Sequence, residues 1–185
     1  MSITSGNNSI LKTLRLKNPK LVLMERCSNV WDLKLIHAYM LRTHLFFDLF
    51  AVSRLVAFCV HSSNLLHYAI KLVSQIQSPN LFIYNALIRG CSTTQNPENS
   101  FHYYIKALRF GLLPDNITHP FLVKACAQLE SSAMGMQVHG HIIKHGFEHD
   151  CYVRNSLVHM YATVGDIKAA RSIFRRMRLL NICIY

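Results

Sequence analysis

Apolar residues recur along this chain with the period of an α-helix. In residues 81–91 the apolar side chains fall at positions i, i+3, i+4 and i+7, which places them on one face of a helix. Residues 98–110, which follow the loop around Pro97, show the same spacing. The pattern predicts two short amphipathic helices with these buried stripes: Tyr84, Leu87, Ile88 and Cys91 in the first helix, and Phe101, Tyr104, Ile105 and Leu108 in the second.

The same arrangement returns near the end of the chain, on either side of a turn at Gly165 and Asp166. Neither helix of such a pair can bury its apolar face alone, so the pairs must stack on neighbouring pairs. The predicted fold class is therefore all-α. The buried stripes predicted for this later pair are Val153, Leu157, Met160 and Tyr161, followed by Ile167, Ala170, Ile173, Phe174 and Met177.

The chain also repeats itself over a long distance. Residues 33–48 align with residues 135–150, so that His37 meets His139 and Asp48 meets Asp150, both 102 residues apart. Three units of about 34 residues, the size of helix pairs in solenoids, account for this separation. Gly111 and Gly146 each stand four residues before an Asp, and Gly commonly ends a helix. We expect stacked antiparallel helix-turn-helix units that form, by analogy with known helical solenoids, a right-handed α-solenoid.

At these residues the chain resembles the plant pentatricopeptide repeat family, in the variant that alternates long, short and standard repeats. The resemblance rests on LFIYNALIRG at residues 81–90, NSLVHMY at residues 155–161 and the Gly-containing stops, and it covers residues 18–185. It implies repeats at about 18–48, 49–80, 81–115, 116–150 and 151–181. A truncated repeat starts at residue 182, so the chain is interpreted as an N-terminal fragment.

The resemblance implies sequence-selective binding of single-stranded RNA, with one base per repeat. The family reads bases with the fifth residue of the first helix and the last residue of the repeat. It therefore assigns A to Ser53 with Asn80, U to Asn85 with Asp115, and C before U to Asn155 with Asn181. In the long unit, Pro120 with Asp150 implies little selectivity.

Aromatic residues near the starts of three first helices could stack on bases, namely Phe50, Phe82 and Tyr152. A different interpretation of the polar positions stays open. Asn and Ser near a helix start are commonly caps or turn formers, and only the repeat register favours base contact.

The composition agrees with a polyanionic partner. Twenty Lys and Arg against nine Asp and Glu leave a formal charge of +11, which favours nucleic acid or anionic lipid without choosing between them. The most apolar stretch, residues 45–60, carries Asp48 and Arg54, so no membrane span is expected. Six widely spaced cysteines without a CxxC pair predict buried free thiols rather than a disulfide scaffold.

The first 24 residues contain no acid but several Ser, Thr and basic residues, as organellar transit peptides do. We expect a transit peptide or a disordered terminus at residues 1–17, with a mitochondrion preferred to a chloroplast. The predicted partners are organellar RNA and editing or processing factors that act in trans. No membrane and no small-molecule substrate is expected.

Metal binding and catalysis have little support. His141 and His145 could share a helix face, but Gly146 should end that helix and no third ligand follows at a suitable spacing. No nucleophile elbow, zinc-protease motif or phosphate-binding glycine loop is present, so neither an enzyme nor a cofactor is expected. Two alternatives remain: a protein-interaction scaffold of the tetratricopeptide type, and a truncated fragment without independent activity.

Overall fold

The computed structural model describes residues 27–62 and 64–179. Within these residues every regular element is helical, which confirms the all-α class. The predicted transit peptide at residues 1–17 and the truncated repeat from residue 182 lie outside the described residues. In the described part of the chain, no helix combines the length and the apolar character needed to cross a membrane.

The described helices are short, mostly of 11 or 13 residues. A 3-10 helix at Leu45–Phe47 separates the first two of them. In chain order the α-helices are α1 (Val30–Arg42), α2 (Leu49–His61), α3 (Leu66–Val73), α4 (Leu81–Cys91), α5 (Asn99–Arg109), α6 (Thr118–Gln128), α7 (Ser132–Lys144), α8 (Cys151–Thr163) and α9 (Ile167–Leu179).

The chain divides into two compact units, residues 1–83 and residues 84–185. In the first unit, α2 packs against α3, and the 3-10 helix contacts both α1 and α2. Asn29 caps α1, since its side chain accepts the backbone N–H of Asp32 at 2.9 Å. Helices α1 and α2 contribute most of the fully buried side chains of this unit, as the helical spacing requires, and α3 adds Ala69: Leu33, Ile36, Leu55, Val56, Cys59 and Ala69.

In the second unit, helices contact the partner in their own pair and helices of the neighbouring pair. Helix α6 packs against α7 and against α8, and α8 packs in turn against α9. This is the stacking of helix pairs that the repeated apolar pattern predicts. The shared core runs through successive helices and includes Ile88, Tyr104, Leu122, Cys126, Val138, Ile142, Leu157, Met160 and Ala170.

Two glycines end second helices in a left-handed conformation. Gly111 has φ +74° and Gly146 has φ +77°. These values are unfavourable for any residue that carries a side chain. After each glycine the backbone N–H bonds back to a carbonyl five residues earlier, from Leu112 to Ala107 and from Phe147 to Ile142. These bonds satisfy carbonyls that the helix ends would otherwise leave without partners.

Most residues of the predicted apolar stripes are buried, three are half-buried and three are exposed. The stripe of α4 is buried throughout, and so is that of α8. The prediction was wrong for Ile105, Ile167 and Phe174, which are 47%, 54% and 48% exposed. On α9 the buried residues Ala170 and Met177 share one face, and Ile167 and Phe174 lie beside that face. The buried face of α9 is therefore narrower than the apolar stripe predicted from the sequence.

The thiol prediction holds at four positions. Cys27, Cys59, Cys91 and Cys126 are free and buried, and burial raises each pKa to about 11 or 12. Thiols that stay protonated are poor nucleophiles. Cys151 departs from the prediction because it is half-buried and disulfide-bonded.

Candidate nucleic-acid interface

The predicted stacking rings lie on the surface at equivalent places. Phe50, Phe82 and Tyr152 are each the second residue of their helix, and their exposed fractions are 52%, 54% and 60%. Single exposed apolar side chains are common on protein surfaces, so the informative feature is that these three stand at equivalent positions of their helices. Their exposure leaves the ring faces available for stacking on a base.

Asn85 and Asp115 come together although 30 residues separate them. The amide nitrogen of Asn85 donates to both carboxylate oxygens of Asp115, at 3.1 and 3.2 Å. Thr118 completes the cluster, because its hydroxyl lies 2.7 Å from the Asn85 amide oxygen and 2.8 Å from Asp115 Oδ1. Asn85 is 7% exposed, whereas Asp115 is half-buried. The amide therefore supports the carboxylate from inside the fold.

Asp115 has a second role at the start of α6. Its Oδ1 accepts the backbone N–H groups of Ile117 and Thr118 at 3.0 and 2.8 Å. The repeat-end side chains of Asn80 and Asp150 behave in the same way, since Asn80 accepts from Ile83 and Asp150 from Val153, both at 3.0 Å. The capping interpretation thus holds for these residues, and Asp115 combines it with the contact to Asn85.

The remaining polar positions differ from one another. Ser53 is 5% exposed, and its hydroxyl donates to the carbonyl of Leu49 one turn earlier, at 2.6 Å. Asn155 is exposed on α8. Asn181 lies outside the described residues. In the long unit Pro120 is buried, and Asp150 instead accepts from the Asn116 amide at 3.2 Å.

Histidine side chains support the loop that carries Asp115. His119 is fully buried, its Nδ1 lies 2.7 Å from the Asp115 carbonyl oxygen, and its Nε2 lies 3.3 Å from His145 Nδ1. Burial lowers the pKa of His119 and of His145 below the usual value. Among the described residues, no group of three or more His, Cys, Asp or Glu side chains is arranged to hold a metal ion.

Basic side chains are concentrated on α9. Lys168, Arg171, Arg175 and Arg176 are exposed and form no ion pair within the described residues. The same holds for the exposed side chains of Lys106, Arg109, Lys124 and Lys144. Uncompensated charges of this kind attract polyanions at a distance, and this attraction weakens as the ionic strength increases.

Comparison with known proteins identifies the family. A sequence model described as a pentatricopeptide repeat domain matches residues 138–182, and one described as a PPR repeat matches residues 82–112. A pentatricopeptide repeat-containing protein of Arabidopsis thaliana is 50% identical over 95% of this chain and 29% of its own length. The chain belongs to the pentatricopeptide repeat family.

Two further pentatricopeptide repeat proteins of Arabidopsis thaliana carry an organelle in their names. The one named as mitochondrial is 42% identical over 86% of this chain and 24% of its own length. The one named as chloroplastic is 36% identical over 85% and 22%. The chain therefore spans less than a third of the length of these relatives, and it belongs to an organellar group of proteins. Pentatricopeptide repeat proteins are in general RNA-binding.

The structure adds two residues to the candidate interface that the sequence analysis did not name. Ile117 stands at the second position of its repeat, two residues after Asp115, and is 53% exposed like the rings in the equivalent places. Thr118 is the third member of the Asn85 cluster. The register could have found Ile117, because it follows Asp115 by two residues as Tyr152 follows Asp150. The contact of Thr118 with Asn85 spans two repeats and leaves no local signal.

Proposed function

We propose that this chain binds single-stranded RNA sequence-selectively, through pentatricopeptide repeats of the long, short and standard type, in support of organellar RNA editing or processing. The observation that carries the proposal is the contact between Asn85 and Asp115, the two side chains that the repeat register assigns to one base. The proposal requires binding alone and assigns no catalytic step to this chain.

The cluster suits recognition of U. Among the described residues Asp115 Oδ2 accepts from Asn85 alone, so the half-buried carboxylate retains capacity to accept a further hydrogen bond. The N3–H of uracil is a donor that cytosine lacks, so a fixed carboxylate acceptor favours U at this point. The Asn85 amide and the backbone donors of α6 hold the carboxylate in place, which reduces the cost of ordering it when a base arrives.

The exposed second residues supply the other half of the contact. Base–aromatic stacking contributes about 1–3 kcal/mol per base and depends little on base identity. Phe82 precedes Asn85 by three residues on α4, and Tyr152 has the same relation to Asn155 on α8. Each of these first helices therefore places a stacking side chain about one turn before a polar one.

The decisive experiment compares short RNAs that carry A, U, an arbitrary base and a pyrimidine in repeat order and differ only at the U. We expect the wild-type chain to prefer U at that site, and Asn85→Ala to reduce the preference by about tenfold, or ~1.4 kcal/mol. Asn96→Ala is the matched control, because Asn96 is exposed in the loop before α5. Unchanged relative affinities in folded Asn85→Ala would refute the base assignment.

A salt titration separates RNA binding from the alternative of a protein-interaction scaffold. Each neutralised phosphate contributes a slope of about −0.7 to log K against log salt for a single strand. With a formal charge of +11, we expect a slope of several units. An affinity for RNA that stays flat between low and physiological salt would contradict the electrostatic part of the proposal.

A further inference from the structure

A pocket of about 500 Å³ lies in the second unit, between α7, α8 and α9. Its volume falls within the range of small-molecule sites in proteins. Its apolar walls come from Ile143, Leu157 and Ile173, one from each of the three helices. Arg154 and Arg176 also line it, so a cavity with apolar walls carries two permanent positive charges.

Arg154 is the unusual member of this set. The side chain is 5% exposed, although arginine is almost never fully buried without a partner charge. Its Nε donates to the carbonyl of Glu148, and its Nη2 lies 2.8 Å from His149 Nδ1. Its Nη1 is buried and has no hydrogen-bond partner among the described residues. A buried guanidinium with an unsatisfied N–H costs free energy that an added acceptor would recover.

The nearby carboxylate does not neutralise this arginine. Glu148 lines the pocket, but its Oε1 lies 3.6 Å from Nε2 of His149, and no carboxylate of the described residues forms an ion pair with Arg154. Burial lowers the pKa of His139, and the positive charge of Arg176 lowers it further against the opposing effect of Glu148. Two guanidinium groups against one carboxylate leave the lining of the pocket with a net positive charge.

The pocket lies apart from the residues proposed to contact RNA. A step of two residues along a helix turns the side chain by about 200°. Tyr152 and Asn155 are exposed on one face of α8, while Arg154 and Leu157 are buried on the other. A molecule in the pocket would contact none of the proposed base-reading side chains.

We propose that this pocket binds a small organic acid whose carboxylate meets Arg154 and whose short apolar chain lies against Ile143, Leu157 and Ile173. A carboxylate matches the planar fork of a guanidinium, and two guanidinium side chains, those of Arg154 and Arg176, line the pocket. The apolar walls favour a carboxylate with a hydrocarbon body over a fully hydrated inorganic anion. This inference does not rest on the proposed RNA binding.

Nuclear magnetic resonance of the full chain with labelled arginine side chains tests the pocket, with sodium hexanoate as the probe. We expect hexanoate to shift the Arg154 Nε–Hε signal in a saturable manner, and acetate or inorganic phosphate to bind at least tenfold more weakly. The exposed Arg171, which lies on α9 and does not line the pocket, serves as the internal control.

Two variants keep the inference falsifiable even if one of them unfolds. Arg154→Met removes the charge, and Ile143→Trp fills the pocket from a position that is 53% exposed, so the fold should accept the larger ring. Each should weaken hexanoate binding at least tenfold, whereas Arg171→Gln should leave it unchanged. The inference fails if hexanoate leaves the Arg154 signal unmoved, if phosphate binds as well as hexanoate, or if folded Ile143→Trp binds hexanoate normally.

Discussion

Replacing Asp115 by alanine tests whether its carboxylate serves two repeats at once. The substitution removes the acceptor of the Ile117 and Thr118 backbone N–H groups, and loss of such a cap costs about 1 kcal/mol. It also removes the partner of the Asn85 amide, which is 7% exposed. A buried donor left without a partner costs about 1–3 kcal/mol. We therefore expect Asp115→Ala to lower the free energy of unfolding by about 2–4 kcal/mol.

Asp150→Ala is the matched control. Asp150 also caps a first helix, through the Val153 backbone N–H, but its second contact is to the exposed amide of Asn116. Water can replace the carboxylate there, so we expect this variant to lose only about 1 kcal/mol. Urea denaturation followed by circular dichroism gives both values, provided that the slope with urea does not change.

A double-mutant cycle makes the reasoning refutable. In an Asn85→Ala background no amide is stranded, so Asp115→Ala should cost about as little as Asp150→Ala. The coupling energy between Asn85 and Asp115 should then be about 1–3 kcal/mol, within the range found for residues in contact. Additive effects in the double variant, or equal losses for Asp115→Ala and Asp150→Ala, would show that Asp115 acts only as a cap.

Three further predictions follow from individual features. Tyr152→Ala should weaken RNA binding by about 1–3 kcal/mol in fluorescence anisotropy and leave the thermal midpoint nearly unchanged, since the ring is 60% exposed; an unaltered affinity would contradict stacking. Gly111→Ala should lower stability by about 1 kcal/mol because φ is +74°, whereas Gly140→Ala should raise it by about 0.5–1 kcal/mol because Gly140 lies in a helix with open space around it. Denaturation curves of the two variants that move in the same direction would refute this difference. Burial lowers the pKa values of His37, His119, His139 and His145, so the unfolded chain binds protons more tightly than the folded one and stability should fall as pH drops below about 6.5. A free energy of unfolding that does not change between pH 7 and pH 5 would exclude this contribution from the histidines.

The helical framework was predictable because its causes are local and periodic. Tyr84, Leu87 and Ile88 recur on one face of a helix, and all three are fully buried. The left-handed conformation of Gly111 and Gly146 follows from the need to satisfy carbonyls at a helix end. Spacing, turn chemistry and burial point in one direction here, so the pattern alone indicates stacked helix pairs.

The interface was predictable in its positions but only partly in its contacts. The repeat register pairs Asn85 with Asp115, and these two side chains are in contact in the structure. The register also assigns Ser53 to a base, yet the Ser53 hydroxyl donates to a carbonyl of its own helix. The direction of a short hydroxyl depends on which acceptor is nearest after folding. Base assignments for these positions stay predictions.

The anion pocket was hidden for a different reason. Arginine usually lies at the surface, so nothing in the residues around Arg154 signals that this side chain turns inward. Its burial depends on how α7, α8 and α9 pack together, which is a property of the assembled unit. Long-range packing of this kind is invisible to periodicity.

The position of the capping residues has a consequence for retargeting such proteins. The last side chain of one repeat stabilises the first turn of the next, as Asn80, Asp115 and Asp150 show. Any residue chosen there to change the nucleotide preference must also start a helix well, which restricts the choice to a few short polar types. Folding therefore limits the residue types that can stand at that position before specificity is considered. A repeat that is exchanged between proteins should include the last residue of the repeat before it.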